Sequence, residues 1–165
     1  MFSHLSYYII SCFNGGRKMT VNVKFAKVRP DAKIPTRGSD LAAGYDLSAA
    51  CESLVEIMPH ETKMIGTGLR IQPPPGYFGA IFARSGLATK QGLRPSNCVG
   101  VCDEDYTGEY IVALHNDSNE VRSIHSGDRI AQLVFLPYLA VEFEEVDALD
   151  DTARSSGGFG STGIR

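Results

Sequence analysis

Short runs of alternating apolar and polar residues, cut every few positions by proline or glycine, constrain this chain more than any other feature. Val21, Val23 and Phe25 alternate with polar neighbours, the period-two mark of a strand with one buried face. Strand-like runs follow at Ser53–Ile57, Thr62–Ile71, Tyr77–Phe82, Glu109–Leu114, Arg129–Phe135 and Val141–Glu145. Pro59, the Pro73-Pro74-Pro75-Gly76 run, Asn116–Asn119 and Ser126–Asp128 punctuate them, as turn formers do. Pro30–Asp40 reads as loop, and the one segment predicted helical lies near Val146–Thr152. Many short strands at this spacing predict an all-β sandwich or barrel and argue against alternating βαβ units. No P-loop or dinucleotide fingerprint is present.

A chain of 165 residues fits one domain with a real core. A net charge of -3 advertises no basic surface for nucleic acid, though a few placed arginines suffice for a small anion. The four cysteines, Cys12, Cys51, Cys98 and Cys102, lack metal-site spacing. Free thiols in a reducing, intracellular compartment are expected, the cytoplasm first, with organelle and nucleus left open. Leu5–Phe13 is apolar but too short to span a bilayer, and no basic segment precedes it as in a signal peptide. Residues 1–19 therefore read as a dispensable extension, with no stable membrane association.

Five polar, glycine-bearing stretches stand out. Ala43–Ala49 carries Asp46 at the start of an apolar run; alone, it reads as a turn aspartate bonding its own backbone. Arg84-Ser85-Gly86 follows a strand, and successive amides with an arginine and a hydroxyl make a phosphate cradle. Gly100–Gly108 reads as a compact hairpin holding Asp103 three residues before Tyr106. Asn97, just upstream, has the donor and acceptor needed to read a base edge. Gly127–Gln132 places Arg129 and Gln132 around an apolar pair, and 154–163 keeps one arginine and one phenylalanine among glycines and serines. Such a tail costs entropy to order and suits closure over a ligand.

Together these stretches resemble the five ordered motifs of the dUTPase family: AGYDLSA at 43–49, RSGLA at 84–88, GVCDEDYTGEY at 100–110, GDRIAQLVF at 127–135 and RSSGGFGSTG at 154–163. The resemblance implies a jelly-roll-like distorted β-barrel over residues 20–152, with a mobile C-terminal arm at 153–165. It implies a homotrimer with shared active sites, and Mg²⁺-dependent hydrolysis of dUTP to dUMP and diphosphate. Asp103 would orient and deprotonate the water attacking the α-phosphorus. Tyr106 would pack under the deoxyribose and exclude a 2′-hydroxyl. Asn97 and the backbone from Gly100 to Tyr110 would read uracil. Arg84, Ser85, Gly86 and Gln132 would hold phosphates, and Asp46 would act in the outer shell of Mg²⁺ through water. From the arm, Arg154 would pair with the terminal phosphate and Phe159 would cover uracil, with Gly160, Ser161 and Thr162 completing the contacts.

The sequence departs from the family pattern at Ala83, Cys102 and Ser155, where proline, a branched apolar residue and glycine are common. The related dCTP deaminases place a deaminating glutamate ten residues beyond the matching aspartate; here that position is Ala113, which disfavours deamination. A non-catalytic nucleotide binder on the same fold would need a broken catalytic element, and the motifs show none. His60, His115 and His125 lack a compact zinc pattern.

Overall fold

A computed structural model of the chain describes residues 20–97, 99–152 and 155. In chain order the elements are β1 (Lys24–Lys27), β2 (Thr36–Arg37), β3 (Tyr45–Ser48), β4 (Val55–Ile57), β5 (Thr62–Gln72) and β6 (Tyr77–Phe82). A short helix, α1 (Ser85–Gln91), precedes β7 (Leu93–Pro95), β8 (Gly100–Cys102), β9 (Glu109–Asn116), β10 (Arg122–Ile124) and β11 (Arg129–Pro137). Strand pairing is antiparallel throughout, in sheets ordered β1-β5-β9-β7, β2-β3-β11-β6-β8 and β10-β4. The result is a jelly-roll-like β fold.

The strand β9 shows how sequence becomes core. Tyr110, Val112, Leu114 and Asn116 take the inward positions, because side chains two apart share a face. Asn116 is fully buried yet satisfied: its Nδ2 donates to the carbonyls of Ile57, Met58 and Glu120. Its Oδ1 accepts from the Ser118 amide and hydroxyl. Facing β9, β5 shifts register between Gly66 and Arg70, and side chains supply bonds that the bulge removes from the ladder. Thr67 donates to the Tyr110 carbonyl at 2.7 Å, and the Glu109 carboxylate accepts from Gly68 N–H at 2.7 Å.

Several expectations need correction. Gly100–Gly108 is not a hairpin: β8 pairs with β6, and β9 pairs with β5 and β7 in the other sheet. The segment is an arch crossing the sandwich. Val141–Glu145 forms no strand and Val146–Thr152 no helix; the alternation in the first is genuine, but no strand lies beside it among the described residues. The helix instead occupies Ser85–Gln91, where no residue is fully buried and hence no apolar stripe announces it. Gly92 ends it with φ +67, its N–H donating to Ala88 and Leu87 carbonyls, a left-handed stop that glycine adopts at little cost. The Pro30–Asp40 loop contains β2. The extension at 1–19 and the arm residues Arg154, Phe159, Gly160, Ser161 and Thr162 lie outside the described residues, as does Cys98. Among the described residues no helix is long and apolar enough to cross a membrane.

Candidate active site

Two clusters of the expected residues form, at separate places on the five-stranded sheet. The first is built on a row of cross-strand neighbours, in which Gln132 of β11 faces Asp46 of β3 on one side and Phe82 of β6 on the other. The chain then leaves β6 through Ala83 and Arg84 into α1. The Arg84 Nε donates to Asp46 Oδ1 at 2.8 Å, and Arg129 Nη1 donates to Asp46 Oδ2 at 3.0 Å. Arg84 Nη1 also reaches the Arg129 carbonyl at 3.2 Å. Asp46 is only 16% exposed, so two guanidinium groups compensate a largely desolvated carboxylate. Gln132 Nε2 donates to the Ala83 carbonyl at 2.8 Å. Its Oε1 lies over Gly44, 2.5 Å from where a Cβ would stand, so a side chain there would push the Gln132 amide aside. These groups, with Ser85 and Gly86 at the start of α1, line a cavity of about 680 Å³. Helix geometry leaves the first amides of α1 without intrahelical acceptors. Arginines, amide N–H groups and a hydroxyl are the donor types that anionic oxygens accept from.

The sequence motif contains Arg129 without assigning it a role. No local signal in the sequence announces its tie to Asp46, which follows from β11 pairing with β3, Arg129 standing opposite Ser48 at the end of that ladder.

The second cluster sits on the arch. Gly100 pairs with Ile81, and a Cβ on it would stand 3.1 Å from Ile81 Cβ and 3.2 Å from Asn97 Nδ2. Asn97 is thus folded over Gly100, with its amide close to bare backbone. Asp103 follows β8 and is exposed, and its carbonyl accepts from Tyr106 N–H at 3.1 Å, closing a four-residue turn. The Tyr106 hydroxyl donates to the Glu109 carbonyl at 3.0 Å, and its ring lies across Gly108, where any Cβ would collide with it. That ring stays 42% exposed, held at one angle and 6.2 Å from the Tyr110 ring. Fixed and half-open, it offers a flat apolar floor.

Tyr110 itself is fully buried, and its carbonyl is taken by Thr67. Its hydroxyl finds no hydrogen-bond partner of good geometry among the described residues and lies against the Cys102 thiol. Burial, then the neighbouring Cys102, push the Tyr110 phenol above its ordinary range. Burial likewise pushes the Cys102 thiol up to about 11, a rise that the Tyr110 contact offsets in part. Cys102 is a small buried hydrophobe, as its position suggested.

Asp103 lines a different cavity, of about 610 Å³, with Phe78, Val101, Glu104, Asp105 and Tyr138. No residue lines both this cavity and the one at Asp46. From β3 to β8 is three strand spacings, about 14 Å across the sheet, and Asp103 is displaced further along β8. One copy therefore holds Asp103 away from its own Arg84 and Gln132.

Comparison with known proteins bears on the chain as a whole. The dUTPase family model matches residues 30–163. The deoxyuridine 5′-triphosphate nucleotidohydrolase of Desulfitobacterium hafniense is 48% identical over 148 residues, covering 88% of this chain and 98% of the relative. That of Hahella chejuensis is 40% identical over 148 residues, covering 89% and 97%. Among solved structures, the Staphylococcus bacteriophage 80alpha dUTPase with dUPNHPP superposes with a TM-score of 0.80 at 28% identity, covering 88% of this chain and 100% of that one.

Proposed function

The chain belongs to the dUTPase family, and on that premise we propose that it hydrolyses Mg²⁺-bound dUTP by water attack on the α-phosphorus. It is an enzyme, a nucleotidohydrolase acting on dUTP. Asp103 accepts the water's proton as the new O–Pα bond forms and the bond from Pα to the bridging oxygen breaks, releasing dUMP and diphosphate. An exposed carboxylate on a pinned turn suits that role, since a base needs access to water and a fixed line to phosphorus. Tyr106 supplies the floor for the deoxyribose, and its bond to Glu109 keeps it from yielding to a 2′-hydroxyl. Asn97 and the arch backbone around Gly100 read the uracil edge, where a mismatched buried pair costs about 1–3 kcal/mol. Arg84, Ser85, Gly86 and Gln132 hold phosphate oxygens.

The donor set fits a magnesium ion carried in by the triphosphate. Both Asp46 oxygens already accept guanidinium bonds, so this carboxylate suits contact through metal-bound water. When bound, Mg²⁺ neutralises non-bridging oxygens and makes phosphorus easier to attack.

The separation of Asp103 from Asp46, Arg84 and Gln132 within one copy carries the reading of a homotrimer with shared sites. Leu139, Val141 and Phe143 support it: they alternate in a segment that pairs with no strand among the described residues, and Phe143 is 98% exposed. An apolar alternation that forms no strand in its own copy suits the sheet of another copy. In this reading 20–152 is the β domain, and 153–165 closes a neighbour's site through Arg154, Phe159, Gly160, Ser161 and Thr162. Residues 1–19 are dispensable, and free Cys51 and Cys102 suit a reducing compartment.

The deciding assay measures diphosphate release from dUTP, dCTP, dTTP and UTP by the native chain and by Asp103→Asn. Turnover of dUTP should dominate, and the variant should lose about 10²–10⁴-fold in kcat while keeping its oligomer mass. A variant within tenfold of native rate, or no preference for dUTP, sinks the proposal.

A further inference from the structure

Glu104 sits between two aspartates on the arch, yet its carboxylate serves neither. One oxygen, Oε2, accepts from the Gly76 main-chain N–H at 2.8 Å and from the Tyr138 hydroxyl at 2.7 Å. The Tyr138 N–H in turn donates to the Gly76 carbonyl at 3.2 Å, so the three residues close a ring of hydrogen bonds. Gly76 reaches both partners with φ +78, a conformation costly for any residue bearing a Cβ.

Three segments meet at this ring. One is the Asp103–Tyr106 turn, another the Pro73–Gly76 turn entering β6, and the third the exit from β11 at Pro137. Beyond Tyr138 the described chain has no strand partner, and the C-terminal segment departs from this root. The ring also leaves its mark on titration. The Gly76 amide, then the Tyr138 hydroxyl, hold the Glu104 carboxyl below the usual carboxylate range, and the Glu104 bond raises the Tyr138 phenol. Glu104 and Tyr138 line the same cavity as Asp103.

We infer that Glu104 is a positioning residue that locks the Asp103 turn to the Gly76 turn and to Tyr138 at the exit of β11, and so fixes where the base stands. The inference rests on Asp103 as the base. The bonds are exposed, so their contribution to global stability is small, whereas misplacing a base by a fraction of an ångström costs rate directly.

Full-length Glu104→Ala, Glu104→Gln, Tyr138→Phe, the Glu104→Ala/Tyr138→Phe double variant and Asp103→Asn test it by steady-state kinetics with dUTP. Glu104→Ala should lower kcat about five- to tenfold, with KM within about twofold and the thermal midpoint within about 2 °C of native. Tyr138→Phe should lose about three- to fivefold, and the double variant should be no slower than Glu104→Ala, because both act through one ring. Glu104→Gln keeps an oxygen acceptor and should retain at least about half the native kcat. Native kcat in Glu104→Ala, losses that multiply in the double variant, or equal loss in Glu104→Gln with a lowered midpoint would each overturn the inference. An active Asp103→Asn instead overturns the assignment of the base. An inactive Asp103→Asn beside a fully active Glu104→Ala overturns this inference alone.

Discussion

Asp46 ties two arginines with one carboxylate, and that geometry sets what its removal should do. Asp46→Asn keeps the shape but loses the charge-assisted bonds to Arg84 and Arg129. Freed guanidinium groups would no longer be aimed at the cavity, so KM for dUTP should rise about tenfold with a smaller fall in kcat. An unchanged KM would show that Asp46 does not aim them. Cys102 and Tyr110 give a second prediction. Both acids are raised in the fold, so their neutral forms are favoured there. The stability this confers is whole below the ordinary thiol value of 9.0 and drains as pH rises toward about 11. Urea midpoints should fall between those values, and Cys102→Ala should flatten part of the fall; a flat native profile sinks the idea. At this scale the sequence was informative about chemistry and silent about partners. The Asp103–Tyr106 spacing is local, whereas the ties from Asp46 to Arg84 and Arg129 span 38 and 83 positions.

Elements of six residues or more that pair along their length were legible: β5, β6, β9 and β11 start where the alternation predicts. Of the strands of two or three residues, β4 falls inside the expected Ser53–Ile57 run, whereas β2, β7, β8 and β10 are too short to show a period and exist because a neighbour offers a ladder. The arch was misread for a related reason. A glycine-bounded turn between apolar runs looks alike whether its flanks pair together or with other strands, and pairing is a non-local choice. Likewise Val141–Glu145 has the pattern of a strand without an edge to join in its own copy. Ser155 takes φ 46, so the backbone there asks for the freedom that glycine would give. Asn116 offers an element-scale test, because it ties β9 to the carbonyls that close β4 and to the turn before β10. Asn116→Ala strands several buried polar groups and should cost about 2–4 kcal/mol in urea unfolding. A loss under about 1 kcal/mol would mean that the turn holds itself.

For the whole molecule, the separation of the two clusters predicts complementation between damaged chains. Asp103→Asn and a chain truncated before Arg154 should each be nearly inactive alone. Unfolded and refolded together in equal amounts, they should recover activity at about a quarter of the sites, the share that random mixing gives native base and native arm. Light scattering on the native chain should report three times the mass of one copy. No recovery on mixing would place each site within a single chain. The crossing arch has a further consequence. Its two ends are rooted in opposite layers, so the height of Asp103 above the molecule depends on how far apart those layers stand. Tyr110, Cys102 and Gly79 fill the gap beneath it, with the Tyr110 hydroxyl 3.0 Å from where a Gly79 Cβ would be. With Asp103 as the proposed base, core volume at these positions becomes a tuning screw for turnover, and selection for faster or slower enzymes can act on residues that substrate never meets.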